Sequence, residues 1–579
     1  MKKVTVHIYI VLLSLIAGEV VTGQLLGFAR LYTPWMVLIF TLFFSGLFGV
    51  LLYKFSYGFL LSSLENPRKI QIPKWMSTVA VVAGVALLLV VLFLPLALWP
   101  YSGINHELNW DAGLYHLPKA AEMVVTHSSW DLSIAYGEYP YGFESLLAAS
   151  LLISKGGYLI GMVQALILLF FILSFFLITN RYSRIPASFV FFIVVFITAS
   201  YDIIRLTSLN PFMIFRIMAF TIGKNDFFLT AAMIAFIFFA PIGPDKKNYN
   251  LIGLALTSML IAATKPNGFP LLAFIWVLVL VCEITRWIKN KKIEKKEIAL
   301  WVGIILINLS GLLWIIRNIA VQGTLISTES LHLQSLSILA NLTNPLFTHH
   351  LGFNSYLIIV LLLAAVAATF LFKHVNWTVP AAFFVLVVTF VINPAVLYFG
   401  ADQAPAVIFW RLGFYLLVFE IPLLFFLLDP AFHWLLDSKN RTWKTIINSA
   451  LVAGMAGTCI LGCVVNFSRL KMDEANTLVL RDQYTSPVGV DGYFSAYDYI
   501  QKNVTHSTVW IENGLPFYLF GKDLTNSISR QKPADYYVFL QTNWIGMSGY
   551  PAEVDSPSWL KEWSLVYSDS EGRVYKRIK

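Results

Sequence analysis

Charged residues are scarce in this chain of 579 residues. They make up 13% of it, against about 25% in soluble globular proteins. Hydrophobic residues make up 58%, and the mean hydropathy is +0.71. So much apolar surface cannot be buried in one water-soluble core, which excludes a soluble globular protein and predicts that much of the chain faces lipid. The aromatic content of 15% is typical of lipid-facing helices with interfacial belts.

Cysteine is scarcer still, with three residues at positions 282, 459 and 463. All three lie within or at the edge of apolar stretches, which excludes a disulfide framework and a cysteine-based zinc site. The net charge of +9 does not indicate a nucleic-acid partner, because the basic residues lie in short segments between apolar runs.

Long apolar runs, in contrast, are abundant. Because a bilayer crossing takes about 20 apolar residues, we predict thirteen membrane spans. They lie near residues 7–23, 35–53, 77–99, 158–179, 186–201, 226–243, 250–264, 268–285, 298–316, 354–372, 378–399, 411–429 and 446–466. The first run is not followed by a convincing small-residue cleavage site, so we expect a retained helix rather than a signal peptide.

Lysine and arginine are distributed unevenly among the loops between these spans. If the N-terminus is cytoplasmic, the inside segments carry 20 of the 41 basic residues and the short outside segments carry nine. This bias predicts a cytoplasmic N-terminus and, with thirteen spans, a C-terminal segment outside. The pattern suits a multi-pass protein of a bacterial plasma membrane.

The last part of the chain, residues 467–579, has a different composition, with twelve basic and thirteen acidic residues and no long apolar run. Short β-type stretches at 507–511, 536–540 and 564–567 follow a predicted helix near 493–502, which indicates a small α/β domain. The predicted fold is therefore a mostly α membrane protein, a polytopic helical bundle with a small C-terminal extracytoplasmic α/β domain. Its predicted parts are two N-terminal spans (1–76), a main transmembrane module (77–466, with outside loop 100–157) and the outer domain (467–579).

The predicted outside loop carries candidate reactive side chains. Asp111 lies just beyond a span, where a carboxylate can take a proton from an attacking hydroxyl, help to hold a divalent cation, or only cap a short helix. Glu144 is either a second carboxylate of the same site or a helix-start residue favoured by the helix dipole. Tyr115 and His116 are candidates for substrate contacts or for structural roles. The residues alone leave these alternatives open.

Four basic residues from separate segments fall at the predicted outer membrane surface: Lys224, Lys265, Arg317 and Arg411. An ionisable group at membrane depth is costly and usually faces a polar cavity or a partner. A ring of such cations suits the phosphate or diphosphate of a lipid. Snorkelling of each side chain to lipid headgroups is the alternative.

Taken in order, these segments resemble a known family. The chain reads Asn109-Trp110-Asp111-Ala-Gly-Leu-Tyr115-His116-Leu-Pro118, then Tyr139-Pro-Tyr-Gly-Phe-Glu144, Lys224-Asn225-Asp226, Thr264-Lys265-Pro-Asn-Gly268 and Arg317-Asn318. This order is similar to that of the GT-C superfamily of integral membrane glycosyltransferases, above all bacterial members with an Asp-x-x-x-Tyr-His-x-Pro loop. It resembles protein O-mannosyltransferases and the lipid A aminoarabinose transferase more distantly. The resemblance covers most of residues 77–579.

The resemblance implies transfer of a sugar from a polyprenyl-phosphate-linked donor to an acceptor glycan, lipid or protein on the extracytoplasmic face. It implies catalytic roles for Asp111 and Glu144 and phosphate binding by the four cations. Substrate contacts would come from Tyr115, His116, Asn225 and Asp226. No metal site is predicted, although the family leaves a divalent cation open. Two departures, Trp110 in place of a paired acid and a single proline at Pro140 in place of two, leave an inactive member open.

Three other functions share this hydropathy: a transporter or flippase of a lipid-linked sugar, a polymerase or ligase of surface polysaccharide, and a non-catalytic scaffold. Transporters commonly carry inverted repeats and polar residues near the membrane midplane. This sequence shows no repeat, and its polar residues concentrate at one predicted surface. The pattern therefore favours surface chemistry by an enzyme.

Overall fold

The structure is a computed structural model. It describes residues 2–65, 72–98, 111–134, 136–183, 185–203, 222–241, 249–290, 294–325, 441–467, 495–511, 515–521, 523–529, 534–540, 554–569 and 572–578. The predicted spans at 354–372, 378–399 and 411–429 lie outside these residues, as does Arg411. Everything below concerns the described residues.

Helices dominate the described chain, because apolar runs without proline or glycine clusters favour continuous helical hydrogen bonding in lipid. The α-helices are Lys2–Ala29, Pro34–Leu64, Lys74–Leu87, Leu94–Ala97, Leu117–Thr126, Gly142–Ser154, Ile160–Tyr182, Ala187–Ile203, Asn225–Phe239, Leu251–Ala262, Phe269–Asn290, Lys295–Ser310, Leu313–Gln322, Arg441–Phe467, Ser495–Asn503 and Trp559–Glu562. Two π-helical turns, Leu88–Phe93 and Ala112–His116, and three 3-10 turns, Gly157–Leu159, Pro266–Gly268 and Pro516–Phe520, complete the helical elements.

Six of these segments are long and apolar enough to cross a membrane: Lys2–Ala29, Pro34–Leu64, Lys74–Ala97, Ile160–Arg181, Pro266–Asn290 and Thr442–Val464. Lys295–Ser310 and Leu313–Gln322, bent by 48° at their junction, form a seventh if they are counted together. The predicted spans at 186–201, 226–243 and 250–264 coincide with apolar helices of 10–17 residues. The mostly α membrane fold is thus confirmed, whereas the count of thirteen spans and their sidedness stay predictions.

The two N-terminal helices support the helix that begins at Gly142. Lys2–Ala29 is largely buried and packs against both Pro34–Leu64 and Gly142–Ser154. Tyr32, between the two N-terminal helices, donates a hydrogen bond from its hydroxyl to the carbonyl of Ser145 at 3.4 Å. The N-terminal pair is therefore part of the same packed bundle as the main module.

The C-terminal residues form a five-stranded mixed sheet, where the sequence predicts a small α/β domain with three of these strands. Its strands are β1 (Thr508–Ile511), β2 (Ser527–Ser529), β3 (Tyr536–Leu540), β4 (Trp563–Ser568) and β5 (Gly572–Arg577), in the order β2-β1-β3-β5-β4. β1 pairs in parallel with β2 and β3, and β5 pairs antiparallel with β3 and β4. The helix Ser495–Asn503 precedes the sheet. The turn Pro516–Phe520 packs against the π-helical turn Ala112–His116 of the main module.

Candidate functional site

The Asp111 carboxylate forms an ion pair with Lys224. The Asp111 Oδ2 atom lies 3.1 Å from Lys224 Nζ, and the two side chains are 15% and 10% exposed. Asp111 stands immediately before the π-helical turn Ala112–His116, and Lys224 immediately before the helix Asn225–Phe239. Both charges therefore lie at helix starts, where the two side chains are mostly buried but keep some exposure.

Gly223 explains why two such distant segments meet. It adopts φ +79, a conformation that glycine takes without steric penalty. A Cβ at this position would lie only 2.7 Å from the Cβ of Ala112. Because glycine has no Cβ, the backbone before Lys224 can lie against the residue after Asp111, which brings the two charges together.

A second ion pair lies beside the first. Lys265 Nζ donates to Asp226 Oδ1 at 2.6 Å, and Lys224 Nζ lies 3.9 Å from Asp226 Oδ2. Asp111, Lys224, Asp226 and Lys265 thus form a row of alternating charge, which we call the charged row. Asp226 lies in the first turn of its helix, where the helix dipole favours a carboxylate.

Contacts between neighbouring loops hold Lys265 in place. The backbone N–H of Gly142 donates to the carbonyl of Ala263 at 2.6 Å, and a Cβ on Gly142 would lie 2.5 Å from that oxygen. The Asn225 amide donates to the carbonyl of Thr264 at 3.4 Å. The segment before Lys265 is therefore bound by the start of the helix that carries Glu144 and by the helix that carries Asp226.

Glu144 lies behind the charged row in a separate buried cluster. Its Oε1 atom accepts a hydrogen bond from Lys119 Nζ at 3.0 Å and lies 2.8 Å from Nδ1 of His116. All three side chains are 1% exposed. The described contacts of Glu144 are thus to protein groups, and its predicted catalytic role stays a prediction. The sequence reasoning missed Lys119, although it lies three residues after His116 and so on the same helical face.

The protonation of this cluster follows from burial and charge. Burial by itself raises the pKa of Glu144, but the Lys119 charge and the His116 hydrogen bond outweigh it and lower the pKa to about 2. Burial lowers the pKa of His116. Because Glu144 is ionised, the Nδ1–H of His116 is the donor in this contact. The His116 Nε2 atom is buried without a hydrogen-bond partner in the described chain.

Arg317 fastens the loop between Ser129 and Tyr141. Its guanidinium donates to the backbone carbonyls of Ser129 (2.8 Å), Gly137 (2.9 Å) and Tyr139 (3.3 Å). The same group lies 4.6 Å from the ring centroid of Tyr141, and the residue is 1% exposed. The described contacts of Arg317 therefore hold this loop in place, a role we call the loop clamp. Phosphate binding by this residue stays a prediction.

An apolar groove of about 640 Å³ begins at residues that are close to Lys265 in the chain. Its lining includes Ala262 and Phe269, which flank Lys265 in the chain. It extends along the next three helices past Leu272, Trp276, Leu280, Trp301, Ile304, Ile305, Asn308, Leu309, Leu312 and Ile315. Phe269 and Leu280 are eleven residues apart, which corresponds to roughly 16 Å of helix. An apolar chain can therefore lie in the groove with a polar head near Lys265.

Of the remaining predicted residues, Tyr115 packs beside the buried Glu144 cluster and Arg411 lies outside the described chain. The Tyr115 ring packs 4.2 Å from that of His116 and 4.8 Å from that of Tyr136. Among the described residues, no group of three His, Cys, Asp or Glu side chains is placed to hold a metal ion. Arg411 has no described position.

Comparison with known proteins gives a distant structural likeness. No protein-family model and no curated protein sequence matches the chain. Two crystal structures of ArnT from Cupriavidus metallidurans are similar, one bound to undecaprenyl phosphate and one in the apo state. Their TM-scores are 0.45 and 0.43, and the sequence identity is 12% in both cases. Each match covers 87% of this chain and 98% of the ArnT chain.

Proposed function

We propose that this protein transfers a sugar from a polyprenyl-phosphate-linked donor to an acceptor glycan, lipid or protein at the extracytoplasmic face of a bacterial plasma membrane. The observation that carries the proposal is the juxtaposition of the charged row with the apolar groove. A donor of this class has two chemically different ends, a long apolar chain and a charged phosphate. The groove suits the apolar chain, and the charged row suits the phosphate.

In the proposed reaction, the acceptor hydroxyl oxygen forms a bond to the anomeric carbon of the sugar. The bond from that carbon to the phosphate oxygen breaks, and the electron pair leaves with the polyprenyl phosphate. Negative charge therefore grows on the phosphate, where the ammonium groups of Lys265 and Lys224 stabilise it. Each ammonium has three N–H donors, so a lysine can bind a carboxylate and a phosphate together.

Asp111 takes the proton of the acceptor hydroxyl in this proposal. The carboxylate is 15% exposed and is held 3.1 Å from Lys224 Nζ, so it is oriented and still reachable. A positioned carboxylate can remove a proton as the hydroxyl attacks. Lys224 then takes part in both proton removal and phosphate stabilisation. It contacts the Asp111 base directly and lies next to Asp226 and Lys265.

The other predicted residues take supporting places. We assign Tyr115, His116, Asn225 and Asp226 to the substrate side of the site, and Glu144 and Arg317 to positioning of the loop that carries Asp111. Arg411 remains a predicted phosphate ligand. A ligase or polymerase of lipid-linked polysaccharide would use the same donor class, so the identity of the acceptor decides between it and a monosaccharide transferase.

The test is a complementation experiment in the source bacterium. A deletion strain is complemented with the wild type, Asp111→Asn or Asp131→Asn, and its surface glycans and glycolipids are analysed by mass spectrometry. Asp131 lies in the same loop and accepts a hydrogen bond from the Ser133 N–H, which asparagine preserves. We expect Asp111→Asn to match the deletion strain and Asp131→Asn to match the wild type.

An enzyme is distinguished from a scaffold by loss of transfer in Asp111→Asn while binding of the donor lipid is retained. Purified Asp111→Asn should still bind polyprenyl phosphate in detergent micelles, because the lysines and the groove are unchanged. An unchanged glycan profile in the deletion strain would rule out the proposed function. Full activity of Asp111→Asn would remove the proposed base.

A further inference from the structure

The C-terminal domain contacts the turn that carries Asp111. A Cβ added to Gly113 would lie 3.3 Å from Leu515 Cδ1 and 3.4 Å from its Cδ2. Leu515 is 1% exposed. The following turn, Pro516–Phe520, packs against both Ala112–His116 and the helix Leu117–Thr126. The end of the Leu515 side chain therefore occupies the space that the missing Gly113 side chain leaves.

The residue before Gly113 is also in close contact with another segment. Ala112 packs closely against Gly223, which leads directly into Lys224. The two residues after Asp111 are thus held between the main module, at Gly223, and the C-terminal domain, at Leu515. A π-helical turn is an uncommon conformation that depends on its surroundings, so removal of one contact should loosen it.

Leu515 is itself held firmly within the C-terminal domain. Its backbone N–H donates to the Tyr497 hydroxyl at 2.8 Å, and the Tyr497 ring packs 5.3 Å from that of Tyr518. Tyr497 is completely buried. Leu515 is therefore bound to a buried side chain of the helix Ser495–Asn503.

We propose that Leu515 is a positioning residue through which the C-terminal domain holds Asp111 next to Lys224. The inference deepens the proposed function and rests on it for its catalytic part. Its structural part, the coupling of the domain to the turn, does not depend on any activity. The C-terminal domain is then one wall of the site rather than a separate appendage.

The test compares Leu515→Ala with Leu540→Ala in the full-length protein in lipid nanodiscs. Leu540 is also fully buried in the C-terminal domain, but it lies on β3, where it packs beside Gly572. Both changes remove the same volume from the same domain. Hydrogen–deuterium exchange is measured for the backbone of residues 112–116. We expect about tenfold faster exchange there in Leu515→Ala, as a locally lost leucine contact permits, and no change in Leu540→Ala.

Conservative variants extend the test. Leu515→Met retains the volume, so its exchange should be as slow as that of the wild type. Leu515→Val should exchange faster than the wild type but more slowly than Leu515→Ala, and it provides the measurement if Leu515→Ala does not fold. Where the wild type transfers sugar, Leu515→Ala should lower kcat with little change in the KM for donor, because the lysines and the groove are untouched.

Three results would overturn the proposal: unchanged exchange in both Leu515→Ala and Leu515→Val, equal acceleration in Leu540→Ala, or a higher donor KM with unchanged kcat. Absence of sugar transfer by the wild type would contradict the proposed function, while the exchange data would still decide the coupling.

Discussion

Lys224 Nζ lies 3.1 Å from Asp111 Oδ2, and this pair joins two segments that are far apart in the chain. The proposed chemistry makes the two residues one functional unit. Lys224→Met should lower turnover by itself, because it removes a phosphate contact and misorients the base. In the Asp111→Asn background the same change should cost little more, since residues that act together are non-additive. Steady-state kinetics of the two single variants and the double variant check this; fully additive losses would mean that the pair does not act as a unit.

Lys265 should control donor affinity. It is the member of the charged row that leads into the helix lining the apolar groove, so Lys265→Met is expected to raise the KM for donor and to weaken the dependence of binding on salt. Lys155→Met provides the control, because Lys155 is exposed at the end of the helix Gly142–Ser154. Binding of polyprenyl phosphate at several salt concentrations measures the effect. Equal losses in the two variants would point to general surface charge instead.

The apolar groove should select for a long donor chain. Leu272→Trp narrows the groove, whereas Ile288→Trp adds the same side chain to the same helix at a position that is 72% exposed. We expect Leu272→Trp to weaken use of long-chain donors several-fold and to leave short-chain analogues unchanged. Ile288→Trp should change neither. The measurement is kcat/KM for donors of different chain length, and an equal effect on all lengths would argue against a chain in the groove.

Arg317 should matter for stability more than its charge suggests. Lysine in its place lacks the planar fork and cannot serve the carbonyls of Ser129, Gly137 and Tyr139 together. A buried carbonyl left unpaired costs roughly 1–3 kcal/mol, so Arg317→Lys should lower the thermal unfolding midpoint clearly. Arg286→Lys, at a position where the side chain is 43% exposed, should have little effect. Thermal melts in detergent compare the two, and an unchanged midpoint for Arg317→Lys would show that the clamp is dispensable.

Glu144 gives the protein a pH-dependent contribution to stability. Its folded pKa of about 2 is below the ordinary value of 4.5, so its contribution is fully present above about pH 4.5 and is lost as the pH falls toward 2. Glu144→Gln should flatten this acid limb. It should also destabilise the protein at pH 7, because loss of one partner from a buried pair costs roughly 3–5 kcal/mol. Unfolding measured from pH 7 to pH 2.5, with the exposed Glu65→Gln as control, tests both effects; an acid limb as steep as that of the wild type would place the titrating group elsewhere.

Local patterns were enough to predict several parts of this structure. Apolar runs of membrane length predicted the long helices, and alternating β-type stretches predicted β1, β3 and β4 almost to the residue. The sequence predicted one cluster of Asp111 with Lys224, Lys265, Arg317 and Arg411. The structure places Lys224 beside Asp111 and Lys265 beside Asp226, directs Arg317 to backbone carbonyls and does not describe Arg411. The predicted position of these residues at span ends follows from hydropathy alone, since residues at the same end of neighbouring spans lie at one level.

Side-chain partners could not be predicted in this way. Arg317 and Lys265 look alike in the sequence, as cations next to apolar runs, yet Arg317 is directed to backbone carbonyls and Lys265 to Asp226. Glu144 and Asp111 look alike as loop acids, yet one is buried on Lys119 and the other is partly exposed. These differences depend on which loops meet across the bundle, and such long-range contacts leave no periodic signal in the chain.

The sequence by itself therefore determined that this protein lies in a membrane and which segments form helices or strands. Hydrophobicity and helix length are local properties that can be summed over short stretches of the chain. The tertiary structure alone decided which charges form one site, through close approaches such as Gly223 against Ala112 and Leu515 against Gly113. In each contact a glycine lacks the side chain that would hold the two segments apart. Only the packed fold brings such distant segments together.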